Sequence, residues 1–387
     1  MTFIWSQSLT QWNRDINHSG DGGIVSISVP NLEYKHQLTL PQYAELIMNR
    51  AFQAVNFSSA TLDPWHSPSF STLTLQNTSP LSSALSTSLN VATDDSINGT
   101  VSIANPGYYG IDVLPQDYQG SFYVRGSYVG NFTISLVSHS TGDTFASTGV
   151  IANSTTGQWT QYEYTLSPTA TAPNANNSLL LEFDGALATD GSLNFNLLSL
   201  FPPTYNSRAN GMRQDLMEAW AGINPSFFRA PGGDNIEGLG LAEFSPRWQW
   251  NETIGPLTER PGHLNAWGYV LTDGMGLNEY FQLAQDLGME MSLSVFSGHY
   301  LDTTSVAEDD LEPYIQDTIH ELEYLTGSVD TPLGALRASH GYPTPWAVNY
   351  VEIGLVNIVP DNCNILTRIQ KRRQPLWRHH QLCVLPL

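Results

Sequence analysis

Between about residues 56 and 203 apolar and polar residues alternate in short runs. Gly120–Val129 (GSFYVRGSYV), Asn131–Val137 (NFTISLV), Gln158–Leu166 (QWTQYEYTL) and Ser178–Phe183 (SLLLEF) are examples, separated by Gly, Asn, Asp, Ser and Pro. Period two sends successive side chains to opposite faces, so these runs predict short antiparallel strands stacked as a β-sandwich. From about Ser207 the period lengthens. Met212, Leu216, Trp220 and Ile223 predict a helix, as do Leu277, Phe281, Ala284 and Leu287, and then Leu311, Ile315, Ile319, Leu322 and Leu325. Glu308, Asp309, Asp310 and Glu312 stand where a helix dipole favours negative charge. Short apolar strands are expected at Ser226–Ala230, Met289–Phe296 and Asn349–Gly354. Helix alternating with strand predicts a parallel βα architecture, either a small open sheet or part of a barrel.

Composition narrows the function classes. The chain has 387 residues, a formal net charge of −21 and only 13% charged residues, so Ser, Thr, Asn and Gln carry the polar surface. An acidic chain of this kind lacks the basic footprint of a nucleic-acid binder and is repelled by anionic membrane surfaces. No apolar run is long enough to span a bilayer. Met1–Trp5 offers neither the basic nor the apolar region of a signal peptide. Asn-x-Ser/Thr sequons nevertheless occur at Asn17, Asn56, Asn77, Asn98, Asn131, Asn153, Asn176 and Asn251, which predicts a secreted glycoprotein. No phosphate loop, HExxH or CxxC pattern is present, so neither a metal nor another cofactor is expected.

Longer segments carry a resemblance. Arg14–Gly23 (RDINHSGDGG), Tyr43–Gln53 (YAELIMNRAFQ), Phe228–Gly233 (FRAPGG), Arg247–Gly262 (RWQWNETIGPLTERPG), Asp273–Tyr280 (DGMGLNEY), Glu321–Gly327 (ELEYLTG) and Tyr350–Gly354 (YVEIG) resemble the fungal α-L-arabinofuranosidases of glycoside hydrolase family 51. The resemblance implies a (β/α)8 barrel with an inserted β-sandwich. Residues 1–55 would hold the first barrel strand, 56–205 the carbohydrate-binding-like sandwich, and 206–354 barrel strands two to four. It also implies retaining hydrolysis of terminal arabinofuranosyl residues of arabinan or arabinoxylan, outside the cell, by two carboxylates about 5–5.5 Å apart. By the same resemblance Glu45, Arg229, Asp234, Asn235 and Trp267 are the expected substrate-binding residues, with Asp234 replacing a more usual amide. Glu352 lies inside its strand and reads as a buried, paired carboxylate; His299 reads as a loop residue. Tyr108, Tyr109 and Trp159 offer a sugar-stacking face as an alternative to core packing, so a non-catalytic carbohydrate-binding protein is the rival reading.

Two segments depart from the family pattern. Val25–Gln42 interrupts Gly-Gly-Ile and Tyr-Ala-Glu, as a retained intron or a surface loop would. Residues 1–354 hold 35 acidic and 10 basic residues and no cysteine, whereas 355–387 hold five basic residues, one acid and both cysteines, Cys363 and Cys383. As charge alone, this is a basic tail for an acidic partner. Against the family, Leu355-Val356 stand where Asn-Glu is expected, that Glu being the acid/base. Lys371–Leu382 (KRRQPLWRHHQL) can be encoded by codons that, read one base out of step, give Asn-Glu-Asp followed by a plausible continuation. The expectation is therefore a frameshifted tail, with no catalytic residue nameable and the nucleophile beyond residue 387. Sequencing the message across codons 24–45 and 354–387 should find splice signals bounding both departures; codons incompatible with such signals would contradict the frameshift.

Overall fold

The computed structural model describes residues 43–53, 60–93, 99–240, 247–266 and 270–354, with the backbone of Gln381–Leu382. Nine strands come first: β1 (Leu73–Gln76), β2 (Ser88–Ala92), β3 (Thr100–Asn105), β4 (Tyr118–Arg125), β5 (Tyr128–Ser138), β6 (Thr144–Ser154), β7 (Thr160–Leu166), β8 (Asn177–Asp184) and β9 (Ser192–Phe201). They form two antiparallel sheets, ordered β1-β2-β9-β4-β7 and β3-β8-β5-β6. The alternation seen in sequence decides what each face meets. Along β5, Tyr128, Phe132, Ile134 and Leu136 are buried while Val129 and Asn131 face water. Inward residues of both sheets share one core, in which Phe122 and Phe132 meet edge to face at 5.2 Å and Phe183 meets Phe132 at 5.7 Å. Such pairs add about 0.5–1.5 kcal/mol each beyond the area they bury.

One expected strand is divided. Gly120–Val129 belongs to β4 and β5, which lie in different sheets. The chain crosses between them at Gly126, whose φ is +140°, and a Cβ there would sit 2.6 Å from Leu193 Cδ2. Only glycine fits both demands, and an unbroken apolar–polar rhythm on either side concealed the crossing.

The second region contains α1 (Gln214–Ile223), β10 (Phe227–Ala230), α2 (Gly233–Glu237), β11 (His263–Leu264), β12 (Val270–Leu271), α3 (Leu277–Asp286), β13 (Glu290–Val295), α4 (Glu312–Thr326), α5 (Pro332–Ser339), β14 (Tyr350–Ile353) and β15 (Gln381–Leu382). The sheet order is β10-β13-β14-β15, all parallel, as helix–strand alternation requires. Phe228, Ala230, Met291, Leu293, Val295 and Val351 pack with α3 and α4 in a second core. Among the described residues the sheet does not close on itself. In α1 the deeply buried residue is Met217, one position on from the expected Leu216. Glu308–Asp310 form a short 3-10 turn ahead of α4, leaving Glu312 as the acid in its first turn. The short helix α5 was not anticipated. Thr331 caps it through the Gly334 N–H, and its fully buried Arg337 donates to the carbonyls of Tyr324, Leu325, Tyr342 and Pro343.

Residues 43–53 tie the two regions together. The Ala44 N–H donates to the Gly211 carbonyl, and the Leu46 N–H donates to that of Leu200 on β9. Glu45, expected at sugar hydroxyls, is 4% exposed. Its Oε1 accepts from the Ile47 and Leu200 N–H groups at 3.0 and 2.9 Å; its Oε2 accepts from Arg50 Nη1 at 2.9 Å and Ser199 Oγ at 2.6 Å. A carboxylate has about four acceptor positions, and all are taken within the chain, leaving none for a sugar in this conformation. Arg50 also donates to the Tyr43 hydroxyl at 2.9 Å, and burial pushes that phenol's pKa up. Glu45→Ala should therefore cost about 3–5 kcal/mol, because the Arg50 charge is left buried without its partner. Urea unfolding measures it, and a loss below about 1 kcal/mol would show that Arg50 finds water instead.

Candidate functional site

The parallel strands have two unlike faces. Parallel sheets covered by helices on both sides are ordinarily apolar throughout. Here β10 reads Phe-Phe-Arg-Ala, β13 Glu-Met-Ser-Leu-Ser-Val and β14 Tyr-Val-Glu-Ile. Registry pairs Arg229 with Ser292, Ser292 with Tyr350, and Ser294 with Glu352, so every polar residue falls on the face opposite the helices. On that face Arg229 Nε donates to Glu352 Oε2, which also accepts from Ser294 Oγ at 3.0 Å. The pair is largely buried, with side-chain exposures of 14% and 17%. Arg229 Nη2 is buried and has no hydrogen-bond partner among the described residues. Glu352 is thus held as a paired carboxylate.

The loop after β10 supplies more unpaired groups. Gly232 adopts φ +99° and leads into the single turn of α2. The Asn235 carbonyl accepts from the Trp248 N–H at 2.7 Å, while Asn235 Oδ1 and Trp248 Nε1 are buried and unpartnered among the described residues. Asp234 is half-buried at the start of the same turn. Arg247 lays its guanidinium over Phe296, just after β13, at 4.7 Å and over Tyr314 of α4 at 5.7 Å. His299 Nδ1 lies 2.9 Å from Ser305 Oγ within its own loop, and no cluster able to hold a metal exists among the described residues. Arg229 is therefore brought together with Glu352, and Asn235 with Trp248, whereas Glu45 is spent on the scaffold. Trp267 lies outside the described residues. Ser294 and Trp248 were missed; the Ser-Leu-Ser alternation inside an apolar strand was the available signal for the first.

Two further acid groups are destabilised as anions. Glu321, on α4, is fully buried with one carboxylate oxygen unpartnered among the described residues. Burial first, then repulsion from Asp317, raises its pKa well above the usual range, against a smaller pull from Arg247. Burial and then Asp273 likewise raise that of Glu252. Asp273 Oδ2 lies 2.8 Å from His263 Nδ1. From about pH 4.3, the ordinary carboxylate value, up to the raised value in the fold, native Glu321 keeps a proton that the unfolded chain has released. The contribution of Glu321 to stability falls as pH rises through that window. The melting temperature of Glu321→Gln should overtake that of the parent progressively above about pH 4.3; parallel curves would show that Glu321 titrates normally.

Residues 219–365 match the Alpha-L-arabinofuranosidase 1 domain family. The chain is 38% identical over 352 residues to α-L-arabinofuranosidase A of Aspergillus kawachii, covering 90% of this chain and 52% of that protein. The same values hold for α-L-arabinofuranosidase A of Aspergillus niger. The solved arabinose-bound MgGH51 α-L-arabinofuranosidase superposes with a TM-score of 0.82 at 38% identity, over 90% of this chain and 56% of that one. The chain spans about half the length of the curated relatives it matches. Over the half of these proteins that it spans, the chain is thus similar in sequence and fold to α-L-arabinofuranosidases, among them the solved GH51 enzyme.

Proposed function

We propose that the chain derives from a retaining α-L-arabinofuranosidase that removes terminal non-reducing arabinofuranosyl residues from arabinan and arabinoxylan outside the cell. The observation that carries the reading is the polar face of the parallel sheet. Sugar recognition needs buried donors and acceptors left unpaired by the protein, and Arg229 Nη2 and Asn235 Oδ1 meet that description. In this reading β10, β13 and β14 are strands two to four of a (β/α)8 barrel, whose catalytic groups stand at strand C-terminal ends. Residues 206–354 form that part, 56–205 an inserted β-sandwich, 1–55 the first-strand region with an insert at 25–42, and 355–387 a frameshifted tail. Exposed sequon residues Asn77, Asn131, Asn153, Asn176 and Asn251 support passage through a secretory pathway. No helix among the described residues is long and apolar enough to cross a membrane.

The chain as written is proposed to be inactive. Retaining hydrolysis needs a carboxylic acid to protonate the leaving oxygen and then, as a carboxylate, to activate water. After Gly354, which closes β14, the sequence gives Leu355-Val356, and neither side chain can carry a proton. A second reading, a non-catalytic carbohydrate-binding protein, draws on Tyr109, 67% exposed beside β3; Trp159 is half-buried, its Nε1 donating to the Ser79 carbonyl.

The test uses 4-nitrophenyl α-L-arabinofuranoside. The chain alone should release no nitrophenol. A chimera in which residues 43–354 replace the matching segment of the Aspergillus niger relative should hydrolyse it, and Arg229→Ala in that chimera should lower kcat/KM by about 100-fold. Turnover by the chain alone would overturn the inactivity. A folded but inert chimera, with binding of the chain to insoluble arabinoxylan, would favour the carbohydrate-binding reading.

A further inference from the structure

The outer face of the β5–β6 pair brings two sequons and two exposed aliphatic side chains into one small square. Antiparallel registry places Asn131 opposite Ile151 and Val129 opposite Asn153. Directly opposed residues share a face, and so do residues two apart on a strand. All four side chains therefore point the same way, with each asparagine diagonal to the other. Val129 is 67% exposed and Ile151 87%. Their neighbours in sequence, Tyr128, Phe132 and Ala152, point into the core, so the face cannot turn inward to hide them. β6 is also the end strand of its sheet, and an exposed aliphatic pair on such a strand invites association with another chain.

Both asparagines are shaped for modification. Asn131 Nδ2 donates to Thr133 Oγ1, the sequon hydroxyl, at 3.1 Å. The residue opposite Thr133 is Gly149, where a Cβ would lie 2.8 Å from Asn131 Oδ1, so the glycine leaves room for the amide to lie across the sheet. Asn153 is exposed two residues before Thr155, and its backbone N–H is engaged by the Tyr162 hydroxyl at 2.9 Å, leaving the side chain free to project.

We propose that Asn131 and Asn153 carry N-linked glycans whose inner sugars lie over Val129 and Ile151 and keep this sheet edge from self-association. The proposal rests on the secretory part of the functional reading. In the modification, Asn Nδ2 bonds to the anomeric carbon of an oligosaccharide held on a lipid pyrophosphate. The anomeric C–O bond breaks, the lipid pyrophosphate departs with its electron pair, and the amide loses one proton to a base.

The full chain, translated behind a secretion leader with microsomes, is mapped by mass spectrometry after enzymatic glycan release in heavy-oxygen water, which converts each occupied Asn to labelled Asp. Label is expected at Asn131 and Asn153. Glycan release from the secreted chain should then raise its self-association constant about tenfold, as uncovering two aliphatic side chains implies, and Val129→Thr with Ile151→Thr should remove that rise. Label at Asn77 or Asn176 with none at Asn131 and Asn153 would overturn the proposal while leaving the secretory reading intact. An unlabelled chain would overturn both. Label at both asparagines with unchanged self-association on glycan release would overturn the covering role.

Discussion

The described structure depends on one constraint, the parity of residues along three parallel strands. Odd-against-even placement puts Phe228, Met291, Leu293, Val295 and Val351 against the helices and Arg229, Ser294 and Glu352 on the other side. Apolar burial at about 25 cal/mol per Å² holds the helical side. Nothing comparable acts on the polar side, where an arginine and a glutamate must satisfy each other. A shift of one residue in any strand would place a charge in the helix-packed core and expose its apolar set. The fold and the candidate site are consequently fixed by the same registry.

The two antiparallel sheets and the parallel sheet have separate cores, so their relative placement needs its own fastening. Residues 43–53 supply it: Glu45, paired with Arg50, accepts from Ser199 and Leu200 of β9, while the Ala44 N–H donates to the Gly211 carbonyl and Gln53 Nε2 to the carbonyls of Arg260 and Thr272. Four hydrogen bonds on one carboxylate make a rigid joint, and side-chain exposures of 3% and 2% for the ion pair keep water from loosening it. Breaking such a pair on one side costs more than the pair contributes, because the remaining charge stays buried.

Much of this was legible in the sequence. Period two in residues 56–203 and period 3.6 thereafter gave the sheets and the main helices, since both reflect one-sided burial. Gly126 was not legible as a crossing point, because it needs the position of Leu193 from a distant strand. Helix α5 was hidden by its short Pro-Leu-Gly-Ala-Leu pattern, which is stabilised by Arg337 binding carbonyls rather than by an apolar stripe. Motif resemblance led to Arg229, inside β10, and to Asn235, in the turn that follows it. It led equally to Glu45, whose carboxylate partners, Ser199 and Leu200, are about 150 residues away in the chain and could not be foreseen from spacing.

The central claim is that the polar face is an ordered electrostatic site and not a chance meeting of two surface charges. A double-mutant cycle on Arg229→Met and Glu352→Gln, followed by urea unfolding, measures the coupling directly. Partly buried and hydrogen-bonded through Ser294, the pair should couple by about 1–3 kcal/mol. Additivity within about 0.3 kcal/mol, the behaviour of independent or solvent-screened charges, would contradict it.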